Sequence, residues 1–366
     1  GLFFDEDGKV YVVHGQGTLY LTELNSDVKS VKGKPVKIWQ GGFKNAHELG
    51  GGFGMEGSHM YRINGKYYIT CPAGGTGGWQ ICLRSDNIYG PYEHKLIMND
   101  WSSYPKNGLH QGGMVQLKNG DWWFMIMQDR GPIGRVPCLV PVKWIDGWPM
   151  LGDEGKDLIT YPKPATGKKS KIKSPATTDE FNASQLGLQW QWNHNPDNSR
   201  WSLKERKGYM RLYASQASTL KDARNTLTQR VQGPSCEGSV EMEVTGLKDG
   251  NIAGFGIFEF PYAYVAIRQE SGRRKIVMCN DGKDIETVEH FNGDKLWIRV
   301  RATDKEFKAL FYYSLDGVNY KRIGNELQMG LGLPWTANRF ALFNFNTTPQ
   351  GNNGYADFNW FRFTNK

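Results

Sequence analysis

The sequence predicts an all-β protein in which part of a β-propeller is followed by a C-terminal β-sandwich. Two observations support this. Short apolar runs that alternate with a period of two recur along the chain, and Asx-Gly pairs such as Asn64-Gly65 and Asp146-Gly147 separate many of them, which is typical of strands joined by tight turns. The N-terminal segments also recur loosely every ~40 to 60 residues, as propeller blades do. No convincing amphipathic helix interrupts the pattern.

Length and composition indicate a folded protein of more than one domain. The 366 residues are too many for one ordinary core, so two domains are the first expectation. Charged residues make up 22% and hydrophobic residues 39% of the chain, which suits a folded soluble protein. Aromatic residues reach 13%, and this richness is explained equally by rings that stack on sugars and by a β-rich core.

The charge pattern argues against nucleic-acid and membrane partners. The formal net charge of +8 is modest, and its lysines concentrate in the segment PKPATGKKSKIKSP, which is more typical of a solvated tether than of a nucleic-acid surface. The sequence has no zinc-finger spacing, no phosphate-loop glycine signature and no RNA-binding aromatic motif. No apolar run approaches the ~18 residues of a membrane span.

Cysteine usage and the N-terminus leave the compartment open. The five cysteines are scattered and odd in number, so at least one thiol is free and no metal-type pair is present. Gly1 has no Met before it, which indicates a processed or truncated start. We expect a secreted or periplasmic protein, although the N-terminus does not indicate the compartment.

Three regions follow from the distribution of strand-like runs. Residues 1–150 have the strand-and-turn pattern of propeller blades. Residues 151–184 are rich in Lys, Pro, Thr and Ser and predict a surface linker. In residues 185–366 most strands alternate with a period of two, as in a sandwich whose sheets each bury one face. Clear strand candidates are VYVVHG, TLYLTEL, HMYRINGKYYITC, WWFMIMQ, GSVEMEVTGL, AYVAIRQ, KLWIRVRATD and RFALFNFNT.

A lone carboxylate, Glu56, stands out in the segment FGMEGSHMYRINGKYYIT. It precedes two alternating runs joined by Asn64-Gly65, a strong hairpin signal. One interpretation is a solvated loop acid, the usual fate of a glutamate. The other is a carboxyl group at the mouth of a pocket, where apolar neighbours keep it protonated near neutral pH so that it can act as a general acid.

In several segments the sequence resembles glycoside hydrolase family 43, in its branch of β-xylosidases and α-L-arabinofuranosidases with a C-terminal sandwich. The segments are GLFFDEDGKVYVVHG, MEGSHMYRINGKYYIT, PAGGTGGWQICLRSDNIYGPYE, the stretch from LHQGGMVQLKNGDWW to VKWIDGWP, and LGLQWQWNHNPDNSRWSLKERKGYMRL with YADFNWFRF. Together they cover nearly the whole chain in the order and spacing of the family.

The resemblance implies a five-bladed propeller with a funnel-shaped pocket on its axis. It implies an exo-acting inverting hydrolase that releases terminal pentose units and requires no cofactor. In that mechanism a general base activates water on one face of the sugar while a general acid protonates the leaving oxygen on the other, and the two carboxyl groups stand ~6.5 to 9.5 Å apart. A third carboxylate orients the acid.

Five residues match site positions of the family. Glu56 matches the general acid, and Arg135 an arginine that reaches the sugar hydroxyls, with a surface ion pair as the alternative. Thr76 matches a pocket-lining position or an ordinary blade turn. His110 matches a histidine near the axis that holds a water network or a calcium ion, with a hydrogen-bonded core role as the alternative. Gln16 lies where relatives place another pocket residue.

Two further positions belong to the predicted sandwich. A loop of this domain in relatives sends an aromatic side chain toward the pocket, and the candidate here is Phe345 or a neighbour in ALFNFNTTPQGNNG. Asp357 is a candidate ligand for a structural calcium ion, although an ordinary strand-end acid is the simpler interpretation.

The sequence departs from the family at its beginning. The general base and the acid-orienting Asp of relatives fall upstream of Gly1, so about two blades are missing. Asp5 and Asp7 are the nearest acids, but they occupy a turn between strands and are not catalytic candidates. An incomplete propeller exposes strand edges and an open core. The missing N-terminal propeller segment is then a separate chain, a clipped segment that remains assembled, or a stretch that the numbering omits. We expect a separate or clipped chain as the partner.

Three functions remain open at this level. The first is an exo-acting, metal-independent glycosidase on arabinoxylan or arabinan fragments. The second is a carbohydrate-binding protein without catalysis, which the missing base allows. The third is a structural module whose working part is the sandwich. The sequence does not separate xylose from arabinose as the released sugar.

Overall fold

The computed structural model describes residues 1–42, 54–73, 75–100, 107–158, 160–167, 171, 173–303, 305–330, 336–349, 351 and 353–366. Within these ranges the regular elements are strands and three short 3₁₀ helices, which confirms the all-β prediction. The chain divides into two compact units. Residues 1–130 and 135–170 form the first, and residues 131–134 and 171–366 form the second. The segment predicted as a linker, residues 151–184, is thus divided between the two units.

The described part of the first unit contains three four-stranded antiparallel sheets, each built from strands consecutive in the chain. The first sheet consists of β1 (Leu2–Phe4), β2 (Val10–Gln16), β3 (Thr18–Leu24) and β4 (Val36–Gln40). The second consists of β5 (His59–Ile63), β6 (Lys66–Ala73), β7 (Trp79–Ser85) and β8 (Glu93–Met98). The third consists of β9 (Leu109–Gln116), β10 (Trp122–Asp129), β11 (Arg135–Ile145) and β12 (Trp148–Leu151).

Hairpin turns of these sheets form where the Asx-Gly pairs predict them. Asn64 and Gly65 have φ angles of 51° and 80°, and Asp146 and Gly147 have φ angles of 52° and 73°. Two successive residues with positive φ match the right-handed twist of the flanking strands. The turns therefore set the pairing of β5 with β6 and of β11 with β12.

The three sheets pack face to face as propeller blades do. One buried apolar cluster joins the first sheet to the second and includes Leu19 and Ile69. Another joins the second sheet to the third and includes Cys82 and Phe124. Because side chains alternate along a strand, the second sheet buries one face against the first sheet and the other face against the third.

The described part of the second unit contains two large sheets of a sandwich. One has the order β13-β17-β27-β19-β20-β21-β22, with β16 beside β27; the other has the order β14-β15-β28-β18-β23-β24-β25, with β26 beside β24. Their strands are β13 (Gln191–Trp192), β14 (Trp201–Ser202), β15 (Met210–Tyr213), β16 (Ser215–Gln216), β17 (Leu227–Arg230), β18 (Ser235–Glu243), β19 (Asn251–Phe258), β20 (Ala263–Glu270), β21 (Arg273–Asn280), β22 (Lys283–Val288), β23 (Lys295–Thr303), β24 (Lys308–Ser314), β25 (Lys321–Arg322), β26 (Leu327–Gln328), β27 (Arg339–Asn346) and β28 (Tyr355–Asn365).

The sandwich core lies between these two sheets. Phe255, Phe311, Phe340 and Phe358 are fully buried in it. The rings of Phe255 and Phe340 stack with centroids 5.7 Å apart. Removal of each such side chain from water contributes ~1.5 to 3 kcal/mol, so the second unit has a substantial core of its own. In the described part of the chain, no helix has the length and apolar character needed to cross a membrane.

Asp357 is part of an ion-pair network on β28. Its side chain is only 3% exposed and accepts hydrogen bonds from Arg211 Nε at 2.8 Å and Nη2 at 2.9 Å. Arg206 Nη1 donates to the same carboxylate at 3.1 Å. These guanidinium groups occupy the oxygens that a calcium ion would need, so the contacts do not fit the calcium role considered for Asp357.

Replacement of Asp357 by Asn should destabilise the protein by about 3 kcal/mol, because two arginines would lose a buried counter-charge. The free energy of unfolding in urea measures this loss. The matched control is Glu180→Gln. Glu180 pairs at 3.1 Å with Arg362, which lies on the same strand as Asp357, but both side chains of this pair are about half exposed. The control should cost under about 1 kcal/mol. Equal losses for both variants would contradict the prediction.

Candidate functional site

The first unit brings together four of the residues predicted from the sequence. Gln16 is the last residue of β2, and Glu56 lies in the turn before β5. His110 belongs to β9, and Arg135 is the first residue of β11. Each of the three sheets therefore contributes to the same group of side chains.

The turn that carries Glu56 is fixed by its neighbours. Met55 is fully buried, has a φ angle of 72°, and its N–H donates to Pro72 O at 2.6 Å. The Ser58 hydroxyl donates to Met55 O, also at 2.6 Å. Since the residues on both sides of Glu56 are anchored, its carboxyl group projects from a rigid turn.

Gln16 makes the direct contact to Glu56. Its Nε2 donates to Glu56 Oε1 at 2.5 Å. The two residues are 40 positions apart in sequence, so the contact depends on the packing of the first sheet against the second. Glu56 itself is exposed. Among the described residues, the Gln16 amide contacts this carboxyl group, and its place at the mouth of a pocket stays a prediction.

His110 is a buried imidazole, 3% exposed. Its Nδ1 lies 3.2 Å from Gly108 O and its Nε2 lies 3.6 Å from Asp129 Oδ2. Burial lowers the pKa of His110 below its ordinary value, and the Gly108 carbonyl and the Asp129 charge offset only part of that effect. The neutral ring donates from Nδ1 to the carbonyl, because a carbonyl can only accept.

The donors that the described residues place around His110 are too few for a calcium site. The described residues contribute one imidazole nitrogen and one carboxylate, and they contain no group of three His, Cys, Asp or Glu side chains that could hold a metal. Calcium takes six to eight oxygen ligands. The geometry around His110 instead matches the hydrogen-bonded core role that was the alternative to calcium binding.

Arg135 is held between two side chains that the sequence did not point to. Its Nε lies 3.4 Å from Asp129 Oδ1, and its Nη1 lies 3.4 Å from Gln111 Oε1. The guanidinium is about one-third exposed, whereas the Asp129 side chain is 12% exposed. The predicted alternative, an ion pair, is thus present, but it lies beside His110 and not on an open surface.

Gln111 and Asp129 were missed because their role depends on pairing between strands. Gln111 follows His110 in the run LHQGG, and Asp129 ends the apolar run of β10. A polar residue at the end of an apolar strand is a weak signal that could have drawn attention to Asp129. Nothing in the sequence indicates the direction of the Gln111 side chain.

Thr76 lies in the 3₁₀ turn Gly75–Gly77. The position of its side chain lies outside the described residues. The turn continues into Gly78, where a Cβ atom would lie 2.6 Å from His110 Cγ. The backbone that follows Thr76 therefore packs directly against the imidazole.

Phe345 does not fit the predicted role as a lid on a sugar. Its side chain is 1% exposed and packs in an apolar cluster of the sandwich, with its ring 5.8 Å from that of Phe343. A ring buried on all sides offers no face for stacking on a sugar. Phe345 is thus a core residue of the second unit.

Asp5 has a structural role, as its exclusion from the catalytic candidates suggested. Its side chain is 4% exposed and accepts hydrogen bonds from Arg62 Nη1 at 3.1 Å and from Tyr67 OH at 2.8 Å. Arg62 and Tyr67 lie on β5 and β6. Asp5 therefore ties the first sheet to the second.

Acidification should destabilise the protein through His110. The unfolded imidazole takes up a proton near pH ~6.5, whereas burial lowers the pKa of His110 in the folded protein. The stability contributed by the neutral ring is present above the unfolded pKa and is lost as the pH falls toward the folded pKa. Urea unfolding midpoints between about pH 7.5 and pH 5 measure this slope, which His110→Asn should reduce.

The control for this prediction is His290→Asn, because His290 is exposed in the second unit. It should keep the slope of the unchanged protein. The charged groups that face His110 are Asp129, which opposes the effect of burial on its pKa, and Arg135, which adds to it. An unaltered pH slope in His110→Asn would contradict the prediction.

Two sequence models of known protein families match this chain. Residues 1–149 match the sequence model of Glycosyl hydrolases family 43, and residues 178–364 match that of the Beta xylosidase C-terminal Concanavalin A-like domain. Together the two matches cover both units of the chain.

Individual relatives agree with these matches. A protein of Xylanibacter ruminicola named putative beta-xylosidase is 32% identical over 90% of this chain and 61% of its own length. A beta-xylosidase of Formosa agariphila is 32% identical over 85% of this chain and 60% of its own length. A solved structure described as bifunctional GH43-CE of Bacteroides eggerthii has a TM-score of 0.88 and 38% identity, and the match covers 100% of this chain and 48% of that one. The chain spans about three fifths of the length of the curated relatives it matches.

Proposed function

The chain belongs to glycoside hydrolase family 43, and from this premise we propose that it forms the acid-bearing part of an inverting, exo-acting glycosidase that releases terminal pentose units from hemicellulose fragments. The observation that carries the proposal is the contact between Gln16 and Glu56, at 2.5 Å. It holds the matched general acid on a rigid turn, in the unit that also contains His110 and Arg135.

Glu56 is the group that protonates the leaving oxygen. The Gln16 amide donates to Oε1, which leaves Oε2 to carry the proton and to face the substrate. A water molecule attacks the sugar from the opposite face and loses its proton to a general base. That base is proposed to come from residues outside this chain, at the ~6.5 to 9.5 Å separation that leaves room for the water.

Arg135 is the group that orients the sugar. A guanidinium offers five N–H donors in a rigid plane, and Asp129 and Gln111 each take one of its nitrogens. Such a planar set of donors suits the oxygens of a pentose. His110, neutral and buried, supports this arrangement through its position against Asp129.

The released sugar is proposed to be xylose or arabinose. The names of the two curated relatives support xylose as the first substrate to test. The proposed location is secreted or periplasmic, because polymeric hemicellulose is found outside cells. No cofactor is proposed, and the expectation of a structural calcium ion gains no support from the contacts of His110 and Asp357.

The proposed partner is the N-terminal propeller segment. Two apolar sheet faces of the first unit support this. On β1, Phe3 packs against the second sheet while Leu2 and Phe4, on the opposite face, are 52% and 65% exposed. On the third sheet, Val115 and Met125 are 49% and 51% exposed. Further blades packed on both faces would cover these side chains.

Replacement of Glu56 by Gln in the complete protein should remove the general acid and spare the other contacts. We expect kcat/KM for xylobiose to fall by about 10²- to 10⁴-fold. The loss for dinitrophenyl xyloside should be about tenfold or less, because that leaving group departs without a proton. Steady-state kinetics on both substrates, and on the matching arabinofuranosides, measure the difference.

Glu6→Gln is the control, because Glu6 is an exposed acid that pairs with Arg62 at 3.4 Å. It should leave both rates unchanged. Equal losses on both substrates in Glu56→Gln would refute the assignment of the acid. Binding of xylo-oligosaccharides without turnover in the unchanged protein would favour the non-catalytic carbohydrate-binding alternative.

The assembly proposal predicts that the isolated chain hydrolyses no pentoside until the N-terminal segment is supplied. Met125→Lys should weaken this association by about tenfold or more, because it places a charge on a face that becomes buried. Val318→Lys is the control on a side chain of the sandwich that is 78% exposed. Full activity of the isolated chain would overturn the proposal, and so would equal association by the two variants.

A further inference from the structure

Strand β9 pairs with β10 through one irregularity, and it lies at Gln111. Gly112 is opposite Ile126 and His110 is opposite Met127, so Gln111 is an extra residue without a partner on β10. Its φ angle of 57° lies in the left-handed region, which non-glycine residues seldom adopt. A bulge of this kind next to a site re-aims a side chain.

Neighbouring groups hold the bulge in place. The Gln111 N–H, which has no acceptor on β10, donates to Gln80 Oε1 at 2.8 Å. Gln80 is fully buried on β7 of the second sheet. At Gly112, a Cβ atom would lie 1.9 Å from Met125 O, so glycine is required there for the strands to approach. Both features keep Gln111 in its strained conformation.

The side chain of Gln111 spans the gap between Arg135 and the turn of the general acid. Its Oε1 accepts from Arg135 Nη1 at 3.4 Å. Its Nε2 lies 2.9 Å from the place where a Cβ atom of residue 57 would stand, and Gly57 directly follows Glu56. Within the described residues, this Nε2 donates to no acceptor. A free amide donor is therefore available beside the general acid.

We propose that Gln111 is a substrate-binding and positioning residue of this site, a role that rests on the proposed function. Its Oε1 holds Arg135, and its Nε2 donates to a hydroxyl of the pentose bound next to Glu56. The strained bulge persists because a regular strand would direct this amide elsewhere. Gln111 thereby couples the arginine that orients the sugar to the turn that supplies the proton.

The variant Gln111→Gly separates this role from folding. Glycine adopts a positive φ angle without strain, so the thermal unfolding temperature of the complete protein should stay the same or rise. Removal of the amide should nevertheless lower kcat/KM for nitrophenyl xyloside by about tenfold or more and weaken the binding of D-xylose by about tenfold. Kinetics and titration calorimetry measure the two losses.

The isosteric variant Gln111→Glu adds a pH readout that a merely structural role would not move. A second carboxylate beside Glu56 disfavours its ionisation, so the alkaline limb of the kcat/KM profile should move to higher pH. Gln116→Ala is the control for both variants. It is exposed at the other end of β9 and bonds only to Gly120 O within its own turn, so kinetics and profile should not change.

The outcomes separate this inference from the proposed activity. If the unchanged protein binds a pentose without turnover and Gln111→Gly binds it more weakly, the proposed glycosidase activity is wrong. The proposed contact between Gln111 and the sugar is then supported. If Gln111→Gly binds and turns over pentosides as well as the unchanged protein, the inference is wrong. It is also wrong if the protein binds no pentose, if Gln111→Gly loses stability in proportion to activity, or if Gln111→Glu leaves the alkaline limb in place.

Discussion

The candidate site depends on the face-to-face packing of three sheets in the first unit. Glu56 carries no strand pairing of its own, and its turn is anchored from β6 through the bond between Met55 and Pro72. Gln16 comes to it from the first sheet, and Gln111 of the third sheet lies against Gly57 in the same turn. The contacts between Gln16 and Glu56 and between Gln111 and Gln80 join residues 40 and 31 positions apart, so the buried clusters between the sheets keep these polar groups at hydrogen-bond distance. A shift in the pairing register of one strand by a single residue would reverse which of its side chains face the cluster.

The stabilising and the functional contacts of this unit use similar chemistry in different settings. Asp5 and Asp129 are both carboxylates beside an arginine. Asp5 also accepts a tyrosine hydroxyl, and both of its oxygens are satisfied. Asp129 Oδ2, in contrast, accepts no hydrogen bond within the described residues, although His110 lies 3.6 Å away. A fully satisfied carboxylate fixes structure, whereas a buried one with an oxygen left over keeps capacity for water or substrate.

Features that depend on interactions between neighbouring residues could be predicted from the sequence, whereas features that depend on contacts between distant residues could not. The strands and hairpins depend on alternation and Asx-Gly turns, which are local, and they were predicted correctly. Glu56 stood out in its local pattern, but the family resemblance was needed to favour it as the general acid, and Arg135 became a candidate through the resemblance alone. The pocket interpretation of Glu56 stays a prediction, because the local pattern does not show which groups surround a carboxyl group after folding, and this side chain is exposed among the described residues. Phe345 failed for a related reason, since an aromatic residue in a strand gives no sign of which face it occupies.

The conformation of Gln111 could not be predicted from the sequence, because it depends on the pairing of two strands. A bulge is a mismatch between two strands, and neither strand contains it alone. The two glycines of LHQGG permit a close approach, but they do not determine which residue is displaced from the ladder. That choice is made by Gln80 in the neighbouring sheet, which supplies an acceptor for the Gln111 N–H that β10 leaves unpaired. The second sheet therefore determines the conformation of a residue in the third. A propeller allows this coupling because its sheets meet along their inner strands, where one buried side chain reaches the backbone of the next blade.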